Sequence, residues 1–134
     1  MSQPSLPPHR EKNAWAKFIA GFGYAFRGFW YVLHTQRNAR VHVGIATLVI
    51  IAGIVLHISA IEFAILFITI SSVFTAEMFN TVFELCVDLA SPAYHPLAKT
   101  AKDVAAGAVL VSAMLAVVIG VFIFVPHLWA LLHL

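Results

Sequence analysis

The sequence predicts an all-α integral membrane protein, with three transmembrane helices behind an N-terminal amphipathic helix lying on the membrane surface. The hydrophobic fraction is 61% and the charged fraction only 10%, outside the mix of a soluble domain. The apolar stretches beyond residue 40 are each long enough to cross a bilayer core of about 30 Å. At 134 residues the chain is too short for two ordinary domains, so a single unit over residues 13–134 is expected.

The elements follow in order along the chain. Residues 1–12 contain Pro4, Pro7 and Pro8 without apolar periodicity and read as a flexible tail. From about Trp15 to Gln36 the residues Trp15, Phe18, Ile19, Phe22, Phe26, Phe29, Trp30 and Leu33 recur at helical spacing, with Lys17, Arg27 and Arg37 as cationic positions. That pattern describes the surface helix. Spans are expected over about 41–58 and 61–88, a tight antiparallel hairpin joined near His57-Ile58-Ser59-Ala60. A third is expected over about 101–125, after the polar loop Ser91-Pro92-Ala93-Tyr94-His95-Pro96, whose prolines interrupt helix. The first apolar run follows some forty residues of mixed polarity, unlike a secretory signal, so the N-terminus is expected to be retained.

All eight Lys and Arg fall before the first span (Arg10, Lys12, Lys17, Arg27, Arg37, Arg40) or around the loop between spans two and three (Lys99, Lys102). The positive-inside rule therefore places the N-terminus and that loop in the cytoplasm, and the hairpin tip and C-terminus outside. A net charge of +2 without a dense basic run gives no footprint for nucleic acid. The single cysteine, Cys86, excludes an internal disulfide framework and reads as packing.

Of the six carboxylates, Glu11, Glu77, Glu84, Asp88 and Asp103 lie on the cytoplasmic side, leaving Glu62 as an interfacial residue at the hairpin tip. Glu77, Asn80, Glu84 and Asp88 are spaced by three, four and four, a stripe about 80° wide on a helix. Each unpaired carboxylate in a membrane helix costs about 2.5–3.5 kcal/mol on insertion scales, so the stripe demands cations, metal or water. The bland reading places Glu84 and Asp88 in the headgroups, paired with Lys99 or Lys102; it fits Glu77 poorly, because Glu77 lies deeper. Aligned carboxylates with an asparagine suit magnesium, a hard ion that often arrives with nucleotide phosphates. Lys102 and the start of the third span offer a cation and free backbone donors to those phosphates.

The stretch Glu77-Met78-Phe79-Asn80-Thr81-Val82-Phe83-Glu84, then Asp88, then Ala101-Lys102-Asp103-Val104-Ala105-Ala106-Gly107-Ala108-Val109 resembles the signature of prokaryotic diacylglycerol and undecaprenol kinases. The resemblance extends from about Lys17 through Gly23-Tyr24-Ala25-Phe26-Arg27-Gly28 and Arg37-Asn38-Ala39-Arg40-Val41-His42 to the third span. It implies a homotrimer in the bacterial cytoplasmic membrane that transfers the terminal phosphate of ATP to a lipid hydroxyl with magnesium. By the same resemblance Glu77 is the general base, Asn80 orients the reacting groups, and Glu84 holds the metal. Lys102, Asp103, Tyr94 and His95 contact nucleotide, Lys17 and Tyr24 reach phosphates or the lipid head from the surface helix, and Ala106 borders the lipid. Without the resemblance, Tyr94 and His95 read as an ordinary interfacial pair.

Two positions depart from that pattern. A second metal-binding glutamate is usual just before the Asn-x-Arg segment, where this chain has the neutral Gln36, and some members carry a carboxylate in place of Ala93. Lowered metal affinity, reduced activity, or a contribution from Asp88 are the alternatives this leaves. The loop and the Asn-Ala-Arg-Val-His segment look more like the undecaprenol kinase branch, but diacylglycerol stands beside undecaprenol as the acceptor.

Rival functions have less support. No Gly-x-x-x-x-Gly-Lys-Ser/Thr motif is present, Gly21, Gly23 and Gly28 do not fit Gly-x-Gly-x-x-Gly, and no two of the seven histidines sit four apart. A small oligomeric ion or proton pathway would need polar residues through the whole bilayer, whereas Phe63-Ala64-Ile65-Leu66-Phe67-Ile68-Thr69-Ile70 is almost all apolar. A non-catalytic family member rests on Gln36 alone.

Overall fold

A computed structural model describes residues 13–133, and the tail expected over residues 1–12 lies outside them. Among the described residues the structure is all helical: α1 (Ala14–Thr35), α2 (Arg37–Val55), α3 (Ala60–Ala90) and α4 (Pro96–Leu132). The last three are long and apolar enough to cross a membrane. The chain divides into two compact units, one ending at Tyr31 and one beginning at Val32. In the first unit, Trp15, Phe18 and Phe22 meet edge to face along α1, with ring centroids 6.0 and 5.2 Å apart. The Arg27 guanidinium lies over the Tyr24 ring, a cation–π contact.

One residue separates α1 from α2, where the sequence suggested a gap from Arg37 to Arg40. Gln36 is extended (φ −97°, ψ 117°) and occupies the N-cap of α2 without capping it. The Arg40 guanidinium donates to the Leu33 and His34 carbonyls at 3.3 and 2.9 Å, satisfying carbonyls that the end of α1 leaves without helical donors. The turn thus needs no linker, and Arg37–Arg40 are already helical.

The α2–α3 turn is equally compact. His57 takes the left-handed conformation (φ 52°), which His adopts more readily than bulky residues, and the Ile58 N–H donates to the Gly53 carbonyl at 3.1 Å, a helix-ending pattern. Ser59 and Glu62 then form a capping box: the Glu62 N–H donates to Ser59 Oγ (3.2 Å) and the Ser59 N–H to Glu62 Oε2 (2.7 Å). This fixes the start of α3, and His127 of α4 lies 3.7 Å from the same carboxylate. Ile58, Leu66 and Ile123 form the buried core at this end, backed by Val49, Phe63 and Ile119.

α4 begins earlier and ends later than expected. Pro96 does not interrupt helix but starts it, at a position where its missing N–H costs nothing; the His95 ring accepts from the Leu97 N–H at 3.2 Å. The helix also continues through Pro126 to Leu132, because proline in a membrane helix sacrifices one backbone bond that neighbouring groups can offset. At 31 and 37 residues, α3 and α4 are about 46 and 55 Å long, more than a bilayer core requires. Glu77 lies about 26 Å along α3 from Ala60, with Glu84 and Asp88 further towards its Ala90 end.

Gly53 lets the hairpin close. A Cβ there would come within 2.9 Å of Ile58 Cδ1 and 3.1 Å of the Phe63 ring. Gly53→Leu is therefore expected to destabilise the protein by about 1–3 kcal/mol, read as a lowered thermal midpoint in detergent.

Candidate active site

The carboxylate stripe of α3 is graded by depth. Glu77 is 1% exposed and Asn80 is buried, Glu84 is half-buried, and Asp88 is exposed. Asp88 pairs with Lys102 of α4, whereas Glu84 is met by side-chain amides.

Glu77 is the largest fully buried side chain. Its backbone carbonyl accepts from the Thr81 hydroxyl at 2.9 Å, but its Oε1 has no hydrogen-bond partner. Across the helix interface stands His42 of α2, with Nε2 3.6 Å from Oε1. Both residues line a cavity of about 280 Å³ with Asn38, Asn80, Ala106 and Val109.

Two turns towards the Asp88 end, Glu84 receives two amides. Gln36 Nε2 donates to Oε2 and Asn80 Nδ2 to Oε1, each at 3.1 Å, while Asn80 Oδ1 is buried without a partner. The sequence departure at Gln36 is thus brought directly onto Glu84, forty-eight residues away. This explains why Gln36 does not cap α2: its side chain is used at the site. Each amide carries an oxygen on the same carbon as its nitrogen, so half a turn of the terminal bond would present an acceptor instead of a donor. Glu84, Asn80 and Gln36 then form an all-oxygen set that fits a hard cation, although among the described residues no three His, Cys, Asp or Glu side chains gather around one point.

The remaining candidates are spread more widely. Lys102 is committed to Asp88, Asp103 is exposed on α4, and Ala106 lines the Glu77 cavity. Tyr94 and His95 are exposed in the loop between α3 and α4, where His95 caps α4. Lys17 and Tyr24 belong to α1 in the first unit. Sequence reasoning passed over His42. A histidine in a span is a signal in itself, but nothing in the order of residues ties it to Glu77 on another helix.

A second cavity of about 410 Å³ lies between α2, α3 and α4, lined by aliphatic and aromatic residues such as Ile45, Val49, Leu66, Val73 and Phe124. His42 and Ala113 border both cavities.

Comparison with known proteins gives this arrangement a family. A sequence model for prokaryotic diacylglycerol kinase matches residues 23–124. The chain is 43% identical to the undecaprenol kinase of Bacillus subtilis (strain 168) over 117 residues, covering 87% of this chain and 95% of that protein. It is 42% identical to the diacylglycerol kinase of Synechocystis sp. (strain ATCC 27184 / PCC 6803 / Kazusa) over 135 aligned positions, covering 98% of this chain and 77% of the relative. The chain therefore belongs to the prokaryotic diacylglycerol kinase family, a family of lipid kinases.

Proposed function

We propose that the chain phosphorylates the hydroxyl of a membrane lipid, undecaprenol or diacylglycerol, drawing ATP and magnesium from the cytoplasm. The observation that carries this reading is Glu77, a carboxylate buried at 1% exposure with one oxygen unpartnered beside a cavity. A group so placed has the proximity that general-base chemistry needs.

In this reading a lipid hydroxyl enters the cavity beside Glu77. As its oxygen forms a bond to the γ-phosphorus, the bond from that phosphorus to the bridging oxygen breaks, ADP leaves, and Glu77 takes the hydroxyl proton. Glu84, Asn80 and Gln36 would hold magnesium, which when bound neutralises phosphate charge. Asn80 orients the reacting groups from between Glu77 and Glu84. Lys102 exchanges Asp88 for nucleotide phosphate, with Asp103, Tyr94 and His95 around the nucleotide. The small side chain of Ala106 leaves room for the lipid. Residues 13–134 act as one lipid kinase domain, in which α1 lies amphipathically on the membrane surface and presents Lys17 and Tyr24 to phosphates or the lipid head. The subunits form a homotrimer, which would cover part of the apolar surface exposed on α2, α3 and α4. The apolar second cavity gives no support to a polar conduction route.

Three outcomes are expected. Purified protein in mixed micelles transfers labelled phosphate from ATP to undecaprenol, diacylglycerol or both in a magnesium-dependent manner, and Glu77→Gln lowers kcat by at least about 100-fold; equal labelling by that variant sinks the proposal. Gln36→Glu lowers the half-saturating magnesium concentration severalfold and lowers the thermal midpoint in magnesium-free buffer, because a second carboxylate then faces Glu84; unchanged magnesium dependence removes Gln36 from the metal set. In a Cys86→Ser background, His57→Cys reacts with a membrane-impermeant maleimide in spheroplasts and Ala93→Cys reacts only after permeabilisation, if the N-terminus and the α3–α4 loop are cytoplasmic.

A further inference from the structure

Resting on the reading of Glu77 as base, the geometry leaves a second question: where the proton goes. Glu77 is 1% exposed, so it has almost no water of its own to return a proton to. The base must nevertheless be emptied before each new turnover. Across the helix interface from its unpartnered oxygen stands His42, whose side chain is 20% exposed. That exposure, against 1% for Glu77, is the opening that Glu77 lacks.

The surroundings of His42 offer few alternatives. From α3 it faces Glu77, and the next carboxylate on that face, Glu84, is already occupied by Gln36 and Asn80. The α4 residues on the shared cavity are Ala106, Val109, Leu110 and Ala113, none of them ionisable. On α2 itself, Asn38 is neutral and lines the cavity, while the Arg40 guanidinium is turned back onto the Leu33 and His34 carbonyls. The distance of 3.6 Å is just beyond a hydrogen bond, and catalytic contacts of this kind commonly tighten once substrate is present.

We propose that His42 is the positioning residue for the Glu77 base: from α2 it holds the carboxylate in the cavity and takes from it the proton that phosphoryl transfer leaves there. The balance is simple. The proton moves from the lipid hydroxyl to Glu77, then from the Glu77 carboxyl to the unprotonated nitrogen of His42, and from the imidazolium to water. No oxidant or further reactant is involved, and the ring returns neutral.

The test uses the full chain in lipid–detergent micelles, with Glu77→Gln assayed alongside. His42→Ala is expected to lower kcat by about 100-fold while KM for ATP stays within about twofold, and added free imidazole restores activity severalfold. His42→Gln keeps an amide donor for Glu77 but cannot carry a proton; it is expected to fold with a wild-type thermal midpoint, stay slow, and not respond to imidazole. Either variant turning over at the wild-type rate overturns the proposal. So does a slow His42→Ala that ignores imidazole and has a correspondingly lowered thermal midpoint, since His42 is then only the wall between two cavities. Activity retained by Glu77→Gln would instead remove the base assignment, a failure distinct from a normal His42→Gln beside a dead Glu77→Gln.

Discussion

The constraint on which this structure turns is the burial of a carboxylate inside an apolar helical bundle. Glu77 is buried among α2, α3 and α4, with an imidazole 3.6 Å away and no hydrogen bond to one oxygen. A soluble protein would pair such a group or lose it, and a membrane makes the cost higher still. Around it stand Asn80 one turn away, Glu84 held by two amides, and a cavity of about 280 Å³ beside the carboxylate. An unpaired buried acid is a poor contribution to stability.

The fold's other features serve to hold that position. The capping box at Ser59 and Glu62, the left-handed His57 and the missing side chain at Gly53 lock α2 against the start of α3. With that end fixed, the register of α3 sets where Glu77, Glu84 and Asp88 stand along the helix. The break at Gln36 does the same at the other end, since a single extended residue turns its side chain onto Glu84.

Much of this could be read from the residues in order. Composition and span length are properties of single segments, so the three spans and the stripe of Glu77, Asn80, Glu84 and Asp88 emerge from periodicity alone. Helix ends were less legible. Proline reads locally as a breaker, yet Pro96 is tolerated at a first turn and Pro126 inside a long apolar helix, and both outcomes depend on context beyond the neighbouring residues. Pairing between helices was legible least: that Gln36 reaches Glu84 and that His42 stands against Glu77 depends on rotation and register of separate helices. The family resemblance supplied roles for Gln36 and Glu84, and the structure brought those two residues together; it offered none for His42.

The most direct measurement is an experimental structure of the protein with a non-hydrolysable ATP analogue, magnesium and a lipid alcohol in a bilayer mimetic. The lipid hydroxyl oxygen is expected within about 2.6–3.2 Å of the Glu77 carboxylate, and the metal on Glu84 beside the analogue's phosphates. A hydroxyl bound away from Glu77, with the cavity between His42 and Asn80 filled by protein from a neighbouring subunit, would contradict it.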